Sequence, residues 1–338
     1  MTPRKRATGK VTLADVARLA QVSPMTASRA LRGLDRVAKD MVDRVQQAAS
    51  QLGYVPDPAA RALASQRSHH VAVLIPMLSN NLFVDVLEAI QKTLRPLGYQ
   101  TLIGITHYNP LEEEQLLREQ LQNRPAGILV SGLEQNASTS HMMISSGLPC
   151  VHMMELSPDA DTCCVGFSQT QAASTLTHHL IGRGYKRIMF VGSQLDSRTL
   201  QRLQGWRHSM QSAGIFSPEL ELLDPSPSSM QLGYQMLGHI RQSHPDVDAV
   251  FFCNDDLAQG ALLYAQSHAL RVPQDVAIAG FNDLTGSELM SPPLTTIRTP
   301  REAIGTRAAQ MLVQLIEGTD LPENQIDVGY ELMVRQST

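Results

Sequence analysis

The segment Val11–Gly33, VTLADVARLAQVSPMTASRALRG, decides how the chain begins to fold. Thr12, with Asp15 three positions on, reads as a helix N-cap in a variant of the capping box. Leu13, Val16, Ala17 and Ala20 then recur at helical spacing and give a first helix one apolar face. Gln21-Val22 breaks it. Ser23 can cap a second helix, with Pro24 in the first position, where a missing N–H costs nothing. That helix runs through Met25–Leu31 and stops near Gly33. A third is expected over about Lys39–Leu52, with Met41, Val42, Val45, Ala48, Ala49 and Leu52 as its core stripe.

Three short helices with a tight turn between the first two are what a helix-turn-helix needs. The second helix has to enter a DNA major groove about 12 Å wide. It also has to carry short hydroxyls for phosphates and a long donor for a base edge. Ser23, Thr26, Ser28 and Arg29 supply these. Residues 1–67 hold 12 Lys/Arg against five Asp and no Glu, a formal +7, whereas residues 68–338 carry −11. A basic head on an acidic body points to a polyanion at the head and another task for the body. A small helical bundle with a solvated basic face is the alternative, and it leaves the hydroxyl-lined helix without a role.

Pro56 and Pro58 forbid continuation of the third helix. The following run, Pro58–Ser65, is Ala-rich but too short to be a stable helix alone. A segment that becomes helical only when packed on a partner or on DNA is a natural switch element. Leu63 has little core there, which makes an apolar wedge in a minor groove plausible. Physics alone allows a plain linker equally.

At 338 residues the chain is long enough for two or three folding units. No apolar run approaches a membrane span, and Arg4, Lys5 and Arg6 are followed by no apolar stretch, so no secretory signal is read. Cys150, Cys163, Cys164 and Cys253 lack CxxC spacing and read as reduced thiols of a cytoplasmic protein. From His70, apolar runs alternate with amphipathic helices: strands at Val71–Pro76, Tyr99–Thr106, Ala126–Val130 and Pro149–Met153, separated by helices at Leu82–Leu94, Leu111–Gln122 and Ser138–Ser146. The rhythm restarts at Gln169–Arg183 (helix), Arg187–Val191 (strand) and Arg198–Ala213 (helix), then continues through Met230–Gln242, Ala249–Cys253, Leu257–His268 and Val276–Gly280. Strand–helix alternation twice over means an α/β body of two doubly wound lobes with parallel sheets. Its ligand belongs at the carboxyl ends of the strands, in the cleft between the lobes.

Loops at those strand ends carry Ser79-Asn-Asn81, Asp196-Ser-Arg198, Asn254-Asp-Asp256 and Phe281-Asn-Asp283, with Phe167 and Arg202 nearby. Amides, carboxylates and guanidinium forks with aromatic plates suit a polyol or sugar-acid pocket. There is no GxGxxG after a strand, no Walker A, no GxSxG and no HExxH, so no catalytic group, cofactor or metal is expected. Asp255-Asp256 and His178-His179 are adjacent pairs whose side chains point different ways, which favours structural use.

At this point the chain resembles, over nearly its whole length, the lac repressor family of transcription regulators. TLADVARLAQVSPMTASRALRG and YVPDPAARALAS match the family's helix-turn-helix headpiece and hinge helix, and GYKRIMFVG, FFCNDDLAQGAL, DVAIAGFND and SPPLTTIRTP match its core signatures. The resemblance implies a periplasmic-binding-protein-like core and a homodimer on a pseudo-palindromic operator. It puts Pro24, Met25 and Arg29 at base contacts, Ser23, Thr26 and Ser28 at phosphates, and Leu63 at the leucine wedge, with Thr12 and Tyr54 also among the DNA-binding positions. Effector contacts fall on Phe83, Phe167, Arg198, Arg202, Asn254 and Asn282. Where many members carry an Asp after the Pro149–Met153 strand, this chain has Met154 and then Glu155, so a hydroxyl-binding carboxylate is displaced or lost. Arg198 and Arg202 lie four apart on one helix face and favour a carboxylate-bearing ligand, a salt bridge to Asp196 being the alternative for Arg198. VGFSQTQAA, GSQLDSRT and TPRE resemble the gluconate- and 2-ketogluconate-responsive branch in particular.

The expected organisation is a headpiece at 1–55, a hinge at 56–68 and a core at 69–338. Within that core, the N-lobe is about 69–167 plus 298–325, and the C-lobe about 168–297 plus 326–338. A helix over Pro300–Glu317 should return to the first lobe, and the lack of a heptad-patterned tail favours a dimer over a dimer of dimers. The expected function is repression relieved by a sugar acid. The rival readings are a regulator answering a neutral sugar or a corepressor, a carbohydrate-processing α/β enzyme, and a periplasmic sugar-binding protein. If Leu63 wedges into DNA, Leu63→Ala lowers operator affinity by about tenfold or more in a binding assay and leaves ligand affinity unchanged. Equal operator affinity would reduce the segment to a linker.

Overall fold

The computed structural model describes residues 11–31, 37–55 and 69–338. The chain forms two compact units, Met1–Arg67 and Ser68–Thr338. Leu63 with the run Pro58–Ser65, and the helix stop at Gly33, lie outside the described residues.

In the first unit, α1 (Leu13–Leu19), α2 (Pro24–Leu31) and α3 (Lys39–Leu52) enclose a small core. The capping box at Thr12 is complete: the Asp15 N–H donates to its Oγ1 at 3.4 Å, and the Thr12 N–H donates to Asp15 Oδ2 at 3.0 Å. Those bonds from Thr12 hold the Asp15 carboxyl below its ordinary value. Gln21, at φ 54°, turns the chain, and Ser23 Oγ accepts from the Thr26 N–H at 3.1 Å to start α2. Val16, Ala17, Ala20, Ala27, Ala30, Val45, Ala48 and Ala49 are buried. Arg44 donates to the carbonyls of Ala20 and Gln21 and so ties α3 to the turn. Met41, expected in the α3 stripe, is 37% exposed. By spacing it shares the face of Val45, Ala48 and Leu52, but it lies in the first turn of α3 and is not among the side chains packed on the small core.

The second unit opens with β1 (His70–Ile75), α4 (Asn81–Leu94), β2 (Gln100–Ile105), α5 (Pro110–Gln122), β3 (Gly127–Ser131), α6 (Ala137–Ser146), β4 (Cys150–Met153) and β5 (Cys164–Gly166). It continues with α7 (Gln169–Gly182), β6 (Ile188–Ser193), α8 (Ser197–Ser212), β7 (Glu221–Asp224), α9 (Met230–Ser243), β8 (Ala249–Phe252), α10 (Asp255–Ser267) and β9 (Ala277–Ala279). The last elements are β10 (Thr296–Arg298), α11 (Arg301–Glu317), β11 (Gln325–Asp327) and β12 (Glu331–Met333). One sheet has the order β11-β5-β4-β3-β1-β2 and the other β7-β6-β8-β9, all pairs in both being parallel. The fold is therefore α/β, with two doubly wound lobes that follow a helix-turn-helix unit in the chain. In each lobe the order reverses beside the first strand, between β1 and β3 and between β6 and β8.

Short strands escaped the sequence pattern. β5, β7, β10, β11 and β12 have three or four residues each, too few for a period to show. They matter, because the chain crosses between lobes three times: from β5 into α7, through β10 into α11, and from β11 into β12. β10 and β12 pair antiparallel as two of these straps. Arg298 of β10 bonds Asp283 at 2.8 Å and Glu331 of β12 at 3.1 Å.

Packing in the second lobe depends on two glycines where α9 meets α10. A methyl group on Gly260 would lie 1.9 Å from the Met230 carbonyl oxygen, and one on Gly233 2.0 Å from that of Leu257. Gly260→Ala is therefore expected to lower the stability of this unit by about 2–3 kcal/mol, read from chemical denaturation. An unchanged midpoint would show that the helices can separate freely.

Candidate functional site

On α2, Ala27 and Ala30 face the core, which turns Ser23, Pro24, Met25 and Arg29 outward and leaves Thr26 and Ser28 half-exposed. Met25 is 65% exposed, an apolar side chain that the fold of its own unit does not use. Ser23 Oγ and Thr26 Oγ1 are hydrogen-bonded at 2.8 Å, and Arg29 makes no ion pair among the described residues. Thr12 is exposed at the start of α1, and Tyr54 packs half-buried against the small core. This unit thus presents hydroxyls, a guanidinium and an apolar tip along one short helix.

In the second unit, the loops leaving β1, β3, β6 and β8 converge on an interlobe cleft at the two points of strand-order reversal. Such a place is where doubly wound folds hold ligands. The cleft has one cavity of about 340 Å³ and another of about 240 Å³. Tyr108, Gln194, Asp196 and Arg198 line both. Asn80, Asp196 and Asn254 cap the helices that follow the β1, β6 and β8 loops, and Ser229 caps the helix after β7, so side chains that start helices also form the walls.

Strain marks the same loops. Among the described residues, seven of the ten non-glycine residues with positive φ lie just past strand ends at the cleft: His107, Tyr108, Met154, Gln194, Leu195, Asn282 and Asp283. Backbone held in such conformations clusters at binding sites. Met154, at φ 84°, turns its side chain into the core, and Glu155 lines the smaller cavity. Glu155, one residue on, thus places a carboxylate within the cleft.

Arg198 and Arg202 both reach the larger cavity from α8, but they differ in charge balance. Arg198 Nε and Nη2 donate to Asp196 Oδ2 at 3.2 and 2.8 Å, and Nη1 donates to Ser131 at 2.9 Å. Phe83 and Tyr108 stand on either side of its guanidinium, at 5.6 and 5.9 Å. The salt bridge weighed as an alternative for Arg198 is what the structure shows, so the expected pair of free guanidinium groups is reduced to one. Burial opposes the charge on both members of this pair, yet their mutual attraction holds Arg198 above and Asp196 below the ordinary value.

Arg202 is 5% exposed and has no carboxylate partner among the described residues. Its Nε donates to Gln169 Oε1 at 2.9 Å, its Nη1 to the Cys253 carbonyl at 2.6 Å, and it stacks 3.9 Å from the Phe281 ring. Burial lowers it to about 10, so it stays charged at neutral pH.

Side-chain bonds that join the lobes across the cleft include Asn80 to Asp256 at 2.9 Å, Arg198 to Ser131, and Gln201 to Glu155 at 2.5 Å. Burial pushes Glu155 up, and burial with the neighbouring Asp255 pushes Asp256 up to about 6. Asp255 itself is buried among Leu284, Ser287 and Thr296, all of which donate to it. Asn254 and Asn282 line the larger cavity, whereas Phe83 and Phe167 are buried and outside both linings. Sequence reasoning missed Tyr108, whose loop the Asn109-Pro110 helix start could have located, and Gln169 and Gln194, which carry no such signal.

Comparison with known proteins agrees with both parts. Residues 12–57 match the model of bacterial regulatory proteins of the lacI family, and residues 177–338 match that of the periplasmic binding protein-like domain. The HTH-type transcriptional regulator GntR of Pseudomonas aeruginosa is 52% identical over 98% of this chain and 97% of its own length. The crystal structure of transcription regulator GntR from Chromobacterium violaceum, 47% identical, covers 79% of this chain and 98% of its own, with a TM-score of 0.78. A Lacl family transcriptional regulator from Silicibacter pomeroyi, 32% identical, covers 97% and 99% with a TM-score of 0.88. These relatives are named as regulators, not as enzymes.

Glu113, on the wall of the smaller cavity, is pushed up to about 7 by burial. A carboxyl raised by folding disfavours the native state once both states are ionised, and that cost disappears as pH falls through the raised value. Glu113→Gln should therefore melt at a higher temperature than the parent chain at pH 8 and lose that advantage near pH 5. The same advantage at both values would mean that the carboxyl is solvated.

Proposed function

Because the chain belongs to the lacI family of DNA-binding transcriptional regulators, we propose that it is a cytoplasmic repressor whose hold on operator DNA is released by a sugar acid bound between its core lobes. On this reading the chain comprises a headpiece at 1–55, a hinge at 56–68 and a core at 69–338; the family matches at 12–57 and 177–338 support the first and last of these. Each headpiece of a homodimer reads one half-site with α2. Arg29 and the tips of Pro24 and Met25 meet bases, and Ser23, Thr26 and Ser28 hold phosphates. Pro24 and Met25 offer few donors, so contact with thymine methyl groups takes the place of polar readout there. Leu63 wedges into the central step.

The observation that carries the effector class is Arg202, a buried guanidinium with no carboxylate partner among the described residues, lining a cavity of about 340 Å³. A buried cation is stable only when an anion or several acceptors compensate it, and a ligand carboxylate does so bidentately. Asn254, Asn282, Ser228 and the cleft carboxylates supply donors and acceptors for hydroxyl groups. Gluconate and 2-ketogluconate combine the two features, in keeping with the branch that the sequence resembles. Ligand binding changes operator affinity only in so far as it favours one lobe arrangement over another, and the cross-cleft bonds are the contacts that differ between arrangements.

Calorimetry on the full-length protein tests the reading. Gluconate or 2-ketogluconate should bind, and Arg202→Ala should weaken that binding by about 100-fold or more, the usual effect of removing one partner of a buried charge pair. A neutral hexose binding more tightly than either acid, or an unaffected Arg202→Ala variant, would overturn it.

A further inference from the structure

The two arginines of α8 lie one helical turn apart and differ most in what meets the Nε–H. For Arg198 it is the carboxylate of Asp196, at 3.2 Å; for Arg202 it is the amide oxygen of Gln169, at 2.9 Å. Gln169 is the first residue of α7, where the chain has just crossed from one lobe to the other, and it is 0% exposed. Its Nε2 donates at 2.9 Å to the carbonyl of Met154, in the strained loop beside Glu155. That bond settles which end of the amide faces the arginine, since a guanidinium has only donors and requires the oxygen.

The amide is satisfied at both ends, and yet it leaves the charge of Arg202 in place. We propose that Gln169 determines the ligand charge the cleft accepts: it fixes Arg202 with a neutral acceptor, so that a ligand carboxylate, and not its neutral counterpart, completes the site. This rests on the sugar-acid reading above. A carboxylate at position 169 would fill the same space and pair with Arg202 as Asp196 pairs with Arg198, leaving the cavity no uncompensated cation. Gln169 also ties the arginine to the first lobe through Met154, so its orientation depends on how the two lobes are placed.

The test uses the full-length protein, calorimetry, and gluconate against glucitol, which differ only in a carboxylate against a hydroxymethyl group. The parent chain should prefer gluconate by about 100-fold, the scale of a desolvated charge-assisted contact. Gln169→Glu should lose most of that preference, by weakening gluconate about 100-fold while changing glucitol by less than about threefold. Gln169→Met, which removes the acceptor without adding charge, should lose about tenfold of the preference and carries the test if the Glu variant does not fold. A merely structural role would weaken both ligands alike, so an unchanged ratio in these variants overturns the proposal. A parent chain that binds no sugar acid would instead remove the reading on which it rests, and the proposal with it.

Discussion

A guanidinium taken out of water needs compensation, and Arg202 finds only part of it among the described residues. A carbonyl, an amide oxygen and the Phe281 ring accept its protons and face its charge, but the nearby carboxylate of Asp196 is already bonded to Arg198 and to the Thr199 N–H. Partial compensation in a site of low dielectric is costly, and it is the condition under which an anionic ligand gains most. The rest of the cleft is consistent with it: strained loops hold the walls in place, and hydrogen-bonding side chains surround the arginine without neutralising it.

The same constraint supplies a route from ligand to DNA. Among the side chains that join the lobes, Asn80, Ser131, Glu155 and Gln169 lie on or directly behind the cavity walls. A ligand that meets Arg202 therefore acts on groups whose partners belong to the opposite lobe. Three crossings of the backbone, two of them paired as β10 and β12, limit how the lobes can move relative to each other. The basic headpiece of +7 and the remainder of −11 separate the two binding tasks electrostatically, so that DNA meets the end that attracts it.

Much of this was legible in the residues. The Thr12–Asp15 box, the Ser23-Pro24 start and the alanines of α2 encode the headpiece locally, since caps and helical spacing act within a few residues. The central strands β1, β3, β6 and β8 are largely continuous apolar runs, as buried parallel strands must be. What could not be read depends on distant partners. That Arg198 is neutralised and Arg202 is not depends on the path of one loop and on Gln169, 33 residues away in sequence. Tyr108 reaches the cleft only because its loop takes up positive φ, which Tyr and His do not announce. The short strands β10 and β12 leave no period to detect, although they form the crossings.

The central claim is that one site in the acidic core and one helix in the basic head report on each other. Thermodynamic linkage requires the effect to be mutual. The measurement is the affinity of the protein for an operator that it has itself selected from random-sequence DNA, titrated across gluconate and 2-ketogluconate concentrations. In parallel, the affinity for the sugar acid is measured with and without that operator. The account expects operator affinity to fall as the ligand saturates, and operator-bound protein to bind the ligand more weakly by the same factor. Operator affinity that stays constant through ligand saturation would contradict it.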